Sequence, residues 1–384
     1  MNDIEQTTAN AKSLMKNFSK RTGLDPENGQ ISQRYLWTDA FALLNFLALK
    51  KRDGSNENQD LALKLIHEVH HHLGKFTPND PRTGWISELP EEKAKNHPAV
   101  KGLRIGKQLP ERKHEESYNQ QLEWQRDGQY FHYHTRWIAA LLKAGELLEK
   151  KEFAKWAAEL SLAGSYFIIH KNNDISMHWK MSVDLSRPLV PAMGAHDPLE
   201  GLLCALQARE MSELYNEEFD IYIEDLKLLC QYSNWQMEDA LGIGGLLLNV
   251  IRATELQKKI DLPDSVKPER LLRVVEQSLK AFYRSYEPEK SAKYRLPFRE
   301  CGLSLGLRCL QGNLEFLEKN GLKPDIASKI WSIADEIEAF WLSPEHTKVS
   351  TFQDHLDINE VSLAASLLAQ NAPNIYTRTH SLKQ

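Results

Sequence analysis

The chain has 384 residues, 41% hydrophobic and 26% charged, with a formal net charge of −5. This composition is enough for a large buried core. The absence of any basic block or aromatic–basic interleaving argues against a nucleic-acid partner, and no apolar run approaches the ~18 residues a membrane span needs. The N-terminus, MNDIEQTTANAKSLMKNFSK, lacks the apolar segment of a secretory signal. Cys204, Cys230, Cys301 and Cys309 have no C-x-x-C spacing and read as reduced core residues of a cytoplasmic protein.

Hydrophobic periodicity predicts an all-α chain of twelve helices, over residues 5–20, 33–50, 59–74, 130–149, 151–169, 198–211, 215–232, 239–256, 268–285, 301–318, 324–342 and 358–370. Alternate members differ in kind. WTDAFALLNFLAL, FHYHTRWIAALLKAG, HDPLEGLLCALQA, DALGIGGLLLNV, RECGLSLGLRCL and DINEVSLAASLL are apolar on most faces, which predicts burial. The helices between them, such as EEFDIYIEDLKLLC, are amphipathic and predict a peripheral position. Six buried helices alternating with six peripheral ones predict an (α/α)6 toroid of six helical hairpins in two rings, forming a single domain over 1–384. Asp39, His134, Asp197, Asp239, Glu300 and Asp357 mark the inner helix starts. Their spacings are 95, 63, 42, 61 and 57 residues, so the repeat is near sixty. The long first spacing marks an insertion over about 75–128, which contains GLRIG, Trp85, Tyr118 and Trp124 and predicts an ordered lid. A second irregular stretch, 171–197, also precedes an inner helix.

The alternation, with His, Asp, Glu, Arg and Trp at the inner helix starts, resembles the six-hairpin glycosidase-like superfamily. That group includes glycoside hydrolases and sugar isomerases of the N-acylglucosamine 2-epimerase type. AHDPLEGLLCALQA is loosely similar to the epimerases' His-x-x-x-Glu inner helix, through His196 and Glu200, but their Pro-Gly-His-x-x-Glu-Trp signature has no counterpart here. The resemblance implies a small saccharide substrate in the central cavity.

Trp37, Trp137 and Trp235 sit at inner helix starts, and Trp85, Trp124 and Trp179 lie in the two long loops. Indoles suit stacking on sugar rings, although core packing is the alternative for each. Asp197 and Glu200, in DPLE, read as an N-cap and capping box. Asp357 and Glu360 read the same way. These carboxylates also lie where they would line the cavity mouth beside His196 and His355. Asp39, placed two turns into its helix on an apolar stripe, and Glu238 and Asp239 have no equally good capping explanation. Helices packed ~10 Å apart in a hexagon leave about 8 Å between opposite carboxylates, within the range of an inverting glycosidase. The opposed pairs are Asp39 with Glu238 or Asp239, His134 with Glu300, and Asp197 with Asp357.

The leading expectation is therefore a two-carboxylate glycoside hydrolase with no cofactor. The alternative is a cofactor-independent epimerase or isomerase, with His132, His134, Arg136, Arg299 and Glu300 handling the proton and oxyanion, near Asp127. His67-Glu68-Val69-His70-His71 matches H-E-x-x-H and raises a zinc peptidase as a third reading. On a peripheral helix it reads better as a solvated face, and no metal is expected. A non-catalytic sugar-binding toroid is a further alternative. Nothing in the sequence sets an oligomeric state.

Overall fold

The computed structural model describes residues 3–25, 32–172, 174–231 and 233–377. In chain order the helices are α1 Asp3–Arg21, α2 Leu36–Asp53, α3 Asn56–Leu73, α4 Glu91–Asn96, α5 Gln120–Gln125, α6 Phe131–Leu148, α7 Lys151–Ala163, α8 Asp197–Ser212, α9 Asn216–Gln231, α10 Ala240–Leu256, α11 Pro268–Ser285, α12 Pro297–Gln311, α13 Leu314–Lys319, α14 Ser328–Trp331, α15 Ile333–Leu342, α16 Ser350–Gln353 and α17 Leu356–Ala369. The strands are β1 Gln129–Tyr130, β2 Ile168–Lys171, β3 Asp174–Met177, β4 Lys180–Met181 and β5 Pro188–Val190.

All twelve expected helices are present, with local differences. The expected helix 301–318 starts earlier, at Pro297, whose fixed φ suits the first helical position. It breaks at Gly312–Asn313, where the Asn313 amide donates to the Cys309 carbonyl at 2.9 Å. The expected helix 324–342 divides at Ser332, whose hydroxyl donates back to the Lys329 carbonyl at 3.0 Å, the local competition that disfavours serine in helix interiors. Helix 151–169 stops at Ala163, and β-branched Ile168 and Ile169 enter the β2–β3 hairpin instead.

Two compact units make up the chain. The first comprises Met1–Arg21, Leu44–Gln59 and Ser233–Thr379. In it α12 packs between α10 and α17, while α11 flanks α10, α15 flanks α12 and α1 flanks α17. Almost every residue of α10 is buried. Close approach of α10 and α12 depends on glycine: a Cβ on Gly244 would lie 2.1 Å from the Gly302 carbonyl oxygen, and one on Gly306 2.7 Å from that of Gly244. The Asn45 amide donates to the Val361 carbonyl at 3.0 Å and its oxygen accepts from the Tyr376 hydroxyl at 2.8 Å, so the first and last of the long apolar helices are neighbours.

The second unit is built from Thr22–Leu43 and Asp60–Tyr232. Here α6 packs on α8, α7 on both, and α9 on α8. The expected insertion over 75–128 is an ordered part of this unit. Arg104 ties it together, donating to the Lys75 carbonyl at 2.7 Å, to the His72 carbonyl at 2.9 Å and to the Asp127 carboxylate. The small sheet β1–β4–β5 joins the end of the insertion to the second irregular stretch. All four cysteines are free and buried. No helix among the described residues is long and apolar enough to cross a membrane.

Candidate active site

In the second unit, the turn Asp127-Gly128 delivers the chain into β1 and directly into α6. β1 pairs antiparallel with β4, Tyr130 opposite Lys180. That register places Trp179, the residue before β4, against the first turn of α6. Its indole N–H donates to His132 Nδ1 at 3.0 Å, and the two rings lie 5.9 Å apart at 23°. Tyr130 is tilted against Trp179 at 5.4 Å, and Tyr133 stands edge-on to His132 at 4.6 Å. The Tyr133 hydroxyl meets that of Tyr35 at 2.7 Å.

Burial pushes His132 down to about 3, so the ring is neutral at ordinary pH. A neutral imidazole that accepts at Nδ1 carries its proton on Nε2. His132 therefore presents an N–H donor, and that nitrogen makes no hydrogen bond among the described residues.

One helix away, α8 begins differently from the capping-box expectation. His196 occupies the N-cap position without a side-chain cap bond, and Asp197 is already helical. Asp197 Oδ2 turns back to accept from the Gly194 N–H at 3.2 Å, and a Cβ on residue 194 would lie 2.4 Å from that oxygen. Asp197 is only 4% exposed. Burial, and then the nearby charge of Glu200, raise it to about 7. Glu200 does not close a cap. Its oxygens accept from Arg136 and from the Thr135 hydroxyl, the latter at 2.9 Å. The start of α8 thus holds a carboxyl group that titrates near neutrality and, one turn on, a carboxylate paired with an arginine.

Other candidates of this unit have structural partners. His134 faces the insertion and bonds to the Leu103 carbonyl at 3.0 Å through Nε2, and burial lowers it to about 4. Trp137 is in the core, donating to His70 Nε2 at 3.3 Å. Asp127 accepts from Arg104 and from the Gly106 N–H at 3.0 Å. Trp85 is buried and donates to Glu91 at 2.6 Å, and Trp37 is buried against Phe41 at 4.5 Å. Asp39 has a capping explanation after all. Because α2 starts at Leu36 rather than residue 33, Asp39 falls in the first turn, where it accepts from the Tyr35 N–H at 2.8 Å, with Arg34 at 3.4 Å. Trp124 is 45% exposed and stands edge-on to Trp179 at 4.6 Å.

The H-E-x-x-H residues are used in packing: His67 lies against Phe153 and Trp156, His70 bonds to the Ile66 carbonyl at 2.9 Å, and His71 lies against Trp85. Among the described residues no three His, Cys, Asp or Glu side chains are grouped to hold a metal ion.

In the first unit, Asp239 is the N-cap of α10, accepting from the Gly242 N–H at 2.9 Å, and it pairs with Arg299. This is the role the sequence suggested for Asp197. Glu300 accepts from Arg295 at 2.8 Å and from the Trp341 indole at 2.8 Å. Asp357 and Glu360 share Arg21 rather than forming a capping box. Trp235 is buried, donating to the Ser265 carbonyl at 2.8 Å, whereas Glu238 and His355 are exposed.

The sequence reading did not single out Tyr35, Tyr130 or Tyr133. The aromatic density of YFHYH was the signal for the last two.

No protein-family model matches this sequence, and no curated protein matches it. Solved structures do. The GH76A α-1,6-mannanase of Salegentibacter sp. HEL1_6 aligns with a TM-score of 0.53 at 10% identity, over 97% of this chain and 100% of that one. A GH76 α-mannanase of Bacteroides thetaiotaomicron aligns at 0.54 and 11%, over 97% and 96%. A D-mannose isomerase aligns at 0.50 and 13%, over 87% and 85%. The chain shares the (α/α)6 toroid fold of these structures.

Proposed function

We propose that this chain is a carbohydrate-active enzyme, specifically a glycoside hydrolase whose proton donor is Asp197. The observation that carries the reading is the buried Asp197 carboxyl, raised to about 7 beside an arginine-held Glu200. Glycoside hydrolysis needs a carboxylic acid that keeps its proton near neutral pH until it gives it to the leaving oxygen. Trp179 and the His132 N–H, both half-buried, supply an apolar ring surface and a donor, the combination a sugar ring and its hydroxyls require. The likeness of fold to mannanases and to a mannose isomerase is the reason to try mannosides first.

The isomerase alternative needs a base to remove a carbon-bound proton. His132 is poorly placed for that, since Trp179 occupies one nitrogen and the other carries the proton. The test is reducing-sugar release from a glycan panel headed by α-mannans, run beside aldose–ketose isomerisation of free sugars. Release that is lost in Asp197→Asn supports the hydrolase. Isomerisation without release transfers the chain to the isomerases.

A further inference from the structure

We propose that Trp124, with Tyr118, forms an outlying sugar subsite, so that the substrate is a glycan chain rather than a free monosaccharide. The inference rests on the saccharide reading above and extends it outward from His132.

The starting observation is a contrast between bracing and exposure. Trp124 belongs to α5, a helix of six residues. Its backbone is held by several charged side chains. Lys180, fully buried, donates to the Glu123 carbonyl at 2.7 Å, to the Glu123 carboxylate at 3.0 Å and to the Arg126 carbonyl at 2.8 Å. Arg112 donates to Glu123 at 3.0 Å, Lys107 to the Trp124 carbonyl, and Asn119 caps the first turn. Charge-assisted bonds of this kind fix a backbone far more tightly than a surface turn needs. The indole so presented is nevertheless 45% exposed, and its N–H makes no hydrogen bond among the described residues. Tyr118, just before the helix, is 54% exposed. Large aromatic rings held rigidly and left uncovered are the usual form of a binding platform.

Continuity decides the occupant. Trp124 stands against Trp179, and Trp179 is fixed to His132. An aromatic track therefore runs from the inner donor to the surface, one ring at a time. Its rings offer flat apolar faces, which suit the faces of successive sugars in a chain. A single sugar at His132 has no use for Trp124.

The test is binding to the intact chain, followed by tryptophan fluorescence and calorimetry. The probes are mannose, glucose, galactose and N-acetylglucosamine, and the linear di-, tri- and tetrasaccharides of each. We expect affinity for one sugar series to rise on the order of tenfold from monosaccharide to trisaccharide. Trp124→Ala should remove most of that rise, with a loss that grows with chain length, and Tyr118→Ala should do so at a greater length. An unchanged melting temperature in both variants checks that the fold is intact. Monosaccharide binding with no gain on lengthening, or a gain that survives Trp124→Ala, overturns the subsite and leaves the catalytic reading standing. No binding by any saccharide of any length overturns both.

Discussion

Glu200 lies one turn beyond Asp197 on α8, and the two carboxyl groups have opposite surroundings. Arg136 and Thr135 stabilise charge on Glu200, and burial beside that charge keeps the proton on Asp197. Activity should therefore decline as pH rises through about 7, where Asp197 loses its proton. A pH–rate profile of kcat/KM checks this, and a flat profile from pH 6 to 9 speaks against Asp197 as the acid.

The same raised value has a consequence for stability. The unfolded chain releases this proton near the ordinary aspartate value of 3.8, and the folded chain only near 7. Between the two the native state binds more protons, so this group's contribution falls as pH rises across that window. Asp197→Asn cannot ionise. It should be more stable than the wild type at pH 8 by more than about 1 kcal/mol, and closer to it at pH 4. Urea unfolding at both values measures the difference.

Asp239 caps α10. Asp239→Ala should cost about 1 kcal/mol, while Asp239→Asn keeps an acceptor for Gly242 and should cost less. An equal loss in both variants would shift the weight from the cap to the ion pair with Arg299.

That contrast shows what the sequence made legible and what it did not. Periodicity located the helices because burial on one face or all faces is written into residue order, as α10 and α11 illustrate. It could not assign the carboxylates at the helix starts, because capping is decided by where the chain enters the helix. A three-residue shift in the start of α2 turned Asp39 into a first-turn residue, and a one-residue shift in the start of α8 put Asp197 inside the helix rather than at its cap. Partners distant in sequence were also out of reach. Nothing local to His132 indicates that residue 179 will hold it, since β1–β4 pairing makes that contact.

Buried neutral histidines set the acid side of stability. His134 is lowered from 6.5 to about 4. The unfolded chain therefore binds a proton that the folded chain refuses, and stability falls as pH drops from about 6.5 towards 4. His134→Gln removes that proton. Its melting temperature should fall less steeply than the wild type's over this interval, although it starts lower because the Leu103 contact is altered.

Trp179→Phe keeps a ring over His132 and deletes the N–H that fixes its tautomer. Loss of this half-buried hydrogen bond should cost about 1 kcal/mol. His132 Nδ1 then becomes able to take the proton, so nitrogen NMR of the imidazole should show the Nε2–H form in the wild type and a mixture in the variant.

The most direct test of Asp197 as proton donor compares two leaving groups. A glycoside with a nitrophenolate leaving group departs without a proton, whereas a sugar or alkyl leaving group needs one. For Asp197→Asn the account predicts a loss in kcat/KM of at least about a hundredfold on the alkyl glycoside and a much smaller loss on the nitrophenyl glycoside. Equal losses on both substrates, or full activity on the alkyl glycoside, would contradict it.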